Sequence, residues 1–148
     1  MDTTIRQANI TDINFLIALL KELFEIEEDF IFNEDKQRRG LELLLASDND
    51  YIMVAEHGSE VIAMCTVLAI ISTAEGGYVG LIEDLVVQKA YACKGIGRKL
   101  LSAVELWAKE QGLTRLQLLA DRNNQHALTF YDKMDWQKTQ LIGLRKVI

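Results

Sequence analysis

Two short stretches of this chain carry residue types whose spacing points to chemistry. In the first, an apolar, β-rich run, Leu81-Ile-Glu-Asp-Leu-Val-Val87, passes through Gln88–Lys94 into Gly95-Ile-Gly97-Arg-Lys-Leu-Leu101. Ile96, Leu100, Val104, Trp107 and Gln111 then recur at helical spacing, with Ala103 and Ala108 beside them, so the glycine turn opens directly into an amphipathic helix. A helix start offers free backbone N–H groups and the positive end of the helix dipole, a combination that binds phosphate. Gly95 and Gly97 matter because a missing Cβ lets a pyrophosphate approach the backbone and permits positive φ. Lys94, Arg98 and Lys99 add positive charge. The pattern is neither a P-loop nor a dinucleotide fingerprint, since the G-K-[ST] ending and the first glycine of G-x-G-x-x-G are both missing. Taken alone, this segment is equally well read as a tight strand-to-helix turn with no ligand.

The second stretch breaks the tie. Asn124-Gln-His-Ala127-Leu-Thr-Phe-Tyr131-Asp-Lys-Met-Asp-Trp136 follows a further strand, Thr114–Ala120. Together the two stretches resemble the GNAT acetyltransferase superfamily, whose loop reads [R/Q]-x-x-G-x-[G/A] and whose later helix reads N-x-x-A-x-x-x-Y followed by Gly-Phe. The resemblance covers residues 81–136 well and the whole chain in element order. The chain departs from the pattern at Ala92 for the Arg/Gln position, at Cys93 for the glycine after it, and at Asp135-Trp136 for Gly-Phe. Lys89 stands where the family often has proline. These changes touch the side-chain part of a phosphate contact and leave the backbone N–H groups of residues 93 to 98.

The resemblance implies an α/β GNAT fold, with a mixed central sheet of about seven strands flanked by about four helices, in one domain spanning 1–148. It implies acetyl-CoA as cosubstrate, with no metal. Cys93, Lys94, Gly95, Ile96, Gly97 and Arg98 would hold the cofactor from the loop, and Asn124 and Ala127 from the later helix. Leu85, Val86 and Val87 would contribute backbone N–H groups freed where the strand splays. Tyr131 matches the general acid toward the departing thiolate; packing against Leu128 and Phe130 is its plainer alternative. The Ile82-Glu-Asp-Leu85 segment is closest to the polyamine and diamine (spermidine/spermine-type) branch, in which a Glu at this place contacts the amine.

Acetyl transfer from a thioester to an amine needs an uncharged amine, stabilisation of a developing oxyanion and a proton for the leaving thiolate. An alkyl ammonium has a pKa of about 10.4, so a base or a water chain must take its proton. Glu83 is the candidate base, as two adjacent carboxylates in so apolar a strand need a reason. The competing reading has Glu83 or Asp84 paired with a cation at the sheet edge. Rival acceptors are a protein N-terminus, a lysine or an amino acid, and a non-catalytic acyl-CoA sensor is a rival of another class, with Ala92 as its best argument.

The net charge of −6 is concentrated. Glu22, Glu25, Glu27, Glu28, Asp29, Glu34 and Asp35 fall in one stretch with no basic residue among them. Several lie near the end of a first helix, where the macrodipole disfavours negative charge. In this fold the first helix and its connector line the acceptor side of the cleft. Glu27 and Glu28 there would draw in a small cationic amine, with Phe30 and Phe32 walling its aliphatic stem. A solvated face kept acidic for solubility explains the block equally well.

The elements that must position these groups follow from periodicity. A strand is expected over Thr3–Ala8, then a helix capped by Thr11 with Ile13, Leu16, Ile17, Leu20, Leu23 and Phe24 on one stripe. Asn33 is placed to cap a second helix through Leu41, Leu44 and Leu45. A hairpin joins Tyr51–Glu56 to Val61–Ile71 through His57-Gly58-Ser59. The Tyr78–Val87 strand, the glycine-started helix, Thr114–Ala120 and an Asn124–Lys133 helix follow, and two short closing strands are expected near Trp136–Thr139 and Leu144–Ile148. With 148 residues, 49% hydrophobic and 26% charged, the chain has the size and composition of one soluble globule. Its longest apolar run, Val61–Ile71, is too short to span a bilayer, and Met1-Asp2-Thr3-Thr4 has no signal-peptide character. Cys65 and Cys93 suggest neither a disulfide nor a metal site; Cys93 reads as a small residue filling a glycine position, or as a reactive thiol. A cytoplasmic protein with a small-molecule amine substrate is expected. No Lys/Arg stripe serves nucleic acid, no membrane contact is implied, and a homodimer follows from the habit of the family.

Overall fold

The computed structural model describes every residue except Glu28. It divides into two compact units, Met1–Gln117 and Leu118–Ile148.

In the first unit, β1 (Thr4–Gln7) leads through a 3-10 turn (Ile10–Asp12) into α1 (Ile13–Ile26) and α2 (Glu34–Ala46). The strands β2 (Tyr51–His57), β3 (Glu60–Ser72) and β4 (Gly77–Val87) form an antiparallel run, and α3 (Ile96–Glu110) leads to β5 (Leu116–Leu118), which straddles the border between the units. The sheet has the order β1-β2-β3-β4-β5. The N–H of Gly80 donates to the Arg115 carbonyl and that of Thr114 to the Tyr78 carbonyl. The partners rise together along both chains, so β5 runs parallel to β4, as a strand–helix–strand crossover requires.

Ile52–Ala55 and Val61–Val67 are buried without alternation, the mark of a sheet covered on both faces. Ile52, Val54, Met64 and Val86 join Leu16, Leu20, Leu23 and Leu41 in one core cluster, which places α1 and α2 on that face. The intervening residues of β2 and β3 therefore face the other way, the side on which α3 packs through Leu100, Leu101 and Val104. The Tyr51 and Trp107 rings meet there at 4.5 Å.

The starts of α1 and α2 show which positions carry capping chemistry. Asn33 caps α2 by accepting from the Lys36 N–H, as expected. Thr11 does not cap α1. The side-chain cap belongs to the 3-10 turn: the Asn9 side chain accepts from the Thr11 N–H while the Asp12 carboxylate accepts the Asn9 N–H, and α1 grows out of that turn with Asp12 as its own N-cap, which makes no side-chain cap bond. Asp12 is also held by Arg6 at 2.8 Å, and the same guanidinium pairs with Glu56, tying β1 to the start of α1 and to β2.

In the second unit, α4 (Gln125–Lys133) is capped by Asn124, which accepts from the Ala127 N–H at 3.1 Å. The sheet has five strands where about seven were expected. Neither Trp136–Thr139 nor Leu144–Ile148 is a strand. Their apolar, β-branched residues suit a strand, but a strand exists only where a ladder partner meets its N–H and C=O groups. Leu141, Ile142, Leu144, Val147 and Ile148 are exposed instead.

Candidate active site

The helix start that carries the phosphate reading opens on a glycine. Gly95 is the N-cap of α3, with φ +80, and no side chain caps the helix. The first intrahelical bond runs from the Lys99 N–H to the Gly95 carbonyl, so the N–H groups of Ile96, Gly97 and Arg98 belong to the uncapped first turn. A Cβ placed on Gly95 would meet nothing within 4 Å. The protein therefore does not need glycine there for its own packing, although its left-handed backbone favours it. A cavity of about 340 Å³ opens at this point, lined by Lys94, Gly95, Ile96 and Lys99 together with Met1 and Thr3. Lys99 is fixed by the carbonyl and hydroxyl of Thr3, and Lys94 lies over the Tyr91 ring at 5.5 Å. Bare N–H groups, a vacant Cβ direction and two ammonium groups fit a pyrophosphate.

Cys93 is exposed, with φ 59. The other non-glycine residue with positive φ among the described residues is Asp135, at 65. These are two of the positions where the GNAT pattern has glycine. Both substitutions keep the left-handed backbone that glycine serves, so the loop path survives the change of residue type.

Upstream, β4 carries a β-bulge. Thr66 opposes Asp84 while Val67 opposes Ile82, which leaves Glu83 as the extra residue without a β3 partner. Bulges re-aim a side chain and are frequent beside active sites. Glu83 is exposed. Asp84 is half-buried, and among the described residues no cation lies within ion-pair distance of either carboxylate, which removes the sheet-edge ion pair as their explanation. Asp84 accepts from the Thr66 hydroxyl at 2.8 Å and donates its N–H to the same oxygen at 2.9 Å. Burial pushes the Asp84 carboxyl up to about 6, against the opposing pull of the Thr66 bond, with the neighbouring Glu83 charge adding to the rise. Asp84 and its clamp were not singled out from sequence, yet a signal existed. Thr66 is the one hydroxyl in the apolar run Val61–Ile71, and Asp84 stands directly beside Glu83.

Leu85, Val86 and Val87 pair with Cys65, Met64 and Ala63 of β3. On the other edge β5 is three residues long against eleven for β4. With Gly80 bonded to Arg115, β5 ends before it reaches Leu85, so β4 continues past its neighbour.

In the second unit, Asn124 and Ala127 are joined by the cap bond itself, which gives the N-x-x-A spacing a structural meaning. Tyr131 is half-buried. Its ring meets Phe130 at 5.3 Å and Trp136 at 5.8 Å, and its carbonyl receives the Trp136 N–H at 3.0 Å. Of the acidic block, Glu27 is the C-cap residue of α1, and Phe30 packs its ring on Phe24 at 5.5 Å. Phe32 packs against the core cluster, and the expected role of Glu28 lies outside the described residues. Glu22 has a buried carboxylate oxygen with no hydrogen-bond partner among the described residues. No group of three or more His, Cys, Asp or Glu among the described residues could hold a metal, and no helix there is long and apolar enough to cross a membrane.

Residues 17–136 match the family model described as the acetyltransferase (GNAT) family. An uncharacterized N-acetyltransferase of Archaeoglobus fulgidus is 27% identical over 141 residues, covering 94% of this chain and 96% of that protein. A solved aminoglycoside acetyltransferase from an uncultured soil metagenomic sample, in complex with trehalose, shares the fold with a TM-score of 0.83 at 23% identity, covering 99% of this chain and 96% of its own. AAC(6')-Iy, in complex with the bisubstrate analogue CoA-S-monomethyl-acetylneamine, does so with a TM-score of 0.82 at 18% identity, covering all of both chains. With a family match over most of its length, this chain belongs to the GNAT acetyltransferase family and is an acetyltransferase.

Proposed function

We propose that this acetyltransferase moves the acetyl group of acetyl-CoA directly to a primary amine of a small cationic metabolite, a diamine or polyamine. The observation that carries the reading is the pairing of an uncapped, glycine-started α3 with a carboxylate-bearing bulge on the strand that feeds it.

Acetyl-CoA, when bound, supplies the thioester-activated acetyl group. The backbone N–H groups from Cys93 to Arg98 hold its pyrophosphate, with Lys94 beside them. Asn124 and Ala127, joined by the cap bond at the start of α4, are the contacts proposed for the cofactor from that helix. Glu83, aimed out of the ladder by the bulge, takes the proton of the acceptor ammonium directly or through water. Of the backbone N–H groups from Leu85 to Val87, those that point away from β3, toward the edge that β5 does not reach, face the oxygen on which negative charge develops. Tyr131 donates the proton that the leaving sulfur requires.

The cationic acceptor is supported by the acidic composition around Glu27 and by Glu83 and Asp84, two adjacent carboxylates without a protein cation. Two solved structures that share the fold are named aminoglycoside acetyltransferases, and that also favours an amine. A thiol-release assay with acetyl-CoA over a panel of diamines, polyamines, aminoglycosides, amino acids and peptide N-termini tests the proposal. The diamines or polyamines are expected to have the highest kcat/KM, with a KM that rises with salt. Turnover confined to peptides or neutral amino acids would overturn the substrate class.

A further inference from the structure

From Val61 to Ile71, β3 is apolar at every position except Thr66, and Thr66 is completely buried. Val would fill this place with the same shape and a comparable preference for strand, so the hydroxyl needs a reason. It has two partners on one residue. The oxygen accepts the Asp84 N–H at 2.9 Å, and the hydroxyl donates to the Asp84 carboxylate at 2.8 Å. Thr66 and Asp84 stand two residues from Met64 and Val86 along regular strand, hence on the face of the sheet that α1 covers.

The clamp lies at the register slip. Val67 returns to pairing at Ile82, and Glu83 is the residue left over. The ladder gives a bulged residue no bond that fixes its direction. At this bulge the fixed point is Asp84, held through both its backbone and its side chain by a wholly buried neighbour. We infer that Thr66 is a positioning residue for acetyl transfer, setting through Asp84 the direction in which the bulged Glu83 meets the acceptor amine. The inference rests on the reading of Glu83 as the group that takes the amine proton.

Removing the hydroxyl leaves the half-buried N–H and carboxylate of Asp84 without that partner, and the bulge is then free to relax. A displacement of an ångström at a reacting group can cost about 10²-fold in rate, so Thr66→Val is expected to lower kcat by at least about tenfold. Thr66→Ser keeps both bonds and should restore kcat to within about threefold of wild type.

The experiment compares the whole wild-type protein with Thr66→Val, Thr66→Ser and Glu83→Gln. It uses acetyl-CoA with 1,4-diaminobutane, or with the best acceptor of the amine panel, and reads kcat, KM, CoA affinity by calorimetry and thermal stability. The expected pattern is a folded Thr66→Val with lowered kcat, CoA affinity within about twofold of wild type, and rescue by serine. If Thr66→Val does not fold, Thr66→Ala takes its place in the same comparison. Wild-type kcat in the folded valine or alanine variant would overturn the inference. So would a parallel loss of stability, CoA affinity and kcat that serine does not rescue, which would make Thr66 structural only. Wild-type kcat in Glu83→Gln would overturn the functional reading beneath it, whichever way Thr66 behaves.

Discussion

The hydroxyl of Thr66 and the carboxylate of Asp84 meet at 2.8 Å across the β3–β4 register slip, and nothing positive among the described residues balances that carboxylate. An anion partly removed from water without a counter-cation carries a folding cost. That cost has a definite pH dependence.

Asp84 holds its proton more tightly folded, at about 6, than at its ordinary value of 3.8. Its ionised form is therefore destabilised by the fold: the cost is full above about pH 7, shrinks as pH falls through 6, and is gone below about 4. Asp84→Asn keeps an acceptor for Thr66 and removes the charge. At pH 8 it is expected to raise stability by about 2–3 kcal/mol, with the gain vanishing near pH 4. Denaturant unfolding of both proteins at the two pH values reads this directly, and a gain that is equal at both would assign the effect to packing.

Asp12 behaves in the opposite sense. Its hydrogen bonds from Arg6 hold its carboxyl below the usual range, against desolvation by burial. Its stabilising contribution is present above its unfolded pKa of about 3.9 and is lost as pH falls through the lower folded value. Asp12→Asn should destabilise the protein at neutral pH by about 1–3 kcal/mol, and the difference from wild type should narrow in strong acid.

Cys93 occupies a left-handed position, φ 59. A residue with a Cβ costs roughly 1–2 kcal/mol there relative to glycine, so Cys93→Gly is expected to raise Tm by a few degrees while leaving CoA affinity unchanged within about twofold. An unchanged Tm would mean that the thiol makes a compensating contact.

Tyr131→Phe removes the phenol and keeps the ring that packs on Phe130 and Trp136. A fall in kcat of about 10²-fold, with CoA affinity held, is expected for a general acid. A wild-type kcat would leave Tyr131 with its packing role alone.

Much of this was legible before any coordinates, and the parts that were not share a cause. The α1 stripe, the Asn33 cap and the glycine start of α3 are local patterns, read from spacing within a dozen residues. The bulge at Glu83 depends on which β3 residue opposes which β4 residue, and register between strands is not written in either strand alone. The same holds for the Thr66–Asp84 clamp, whose members stand 18 positions apart in sequence. Thr11 has the residue type of a cap, but Asn9, two residues earlier, starts a 3-10 turn first. The closing strands failed for a related reason. The composition of Leu144–Ile148 suits a strand, but pairing decides whether one forms.

Cofactor binding centres on the bare start of α3 in the proposed function, where the Cβ direction of Gly95 is open and the first-turn N–H groups have no side-chain cap. Calorimetric titration of CoA into the wild-type protein and into Gly95→Val, with circular dichroism to confirm that the variant is folded, tests this directly. Saturable binding is expected for wild type and none for the folded variant, because the branched side chain fills the space of the pyrophosphate. Equal CoA affinity in the two proteins would contradict it.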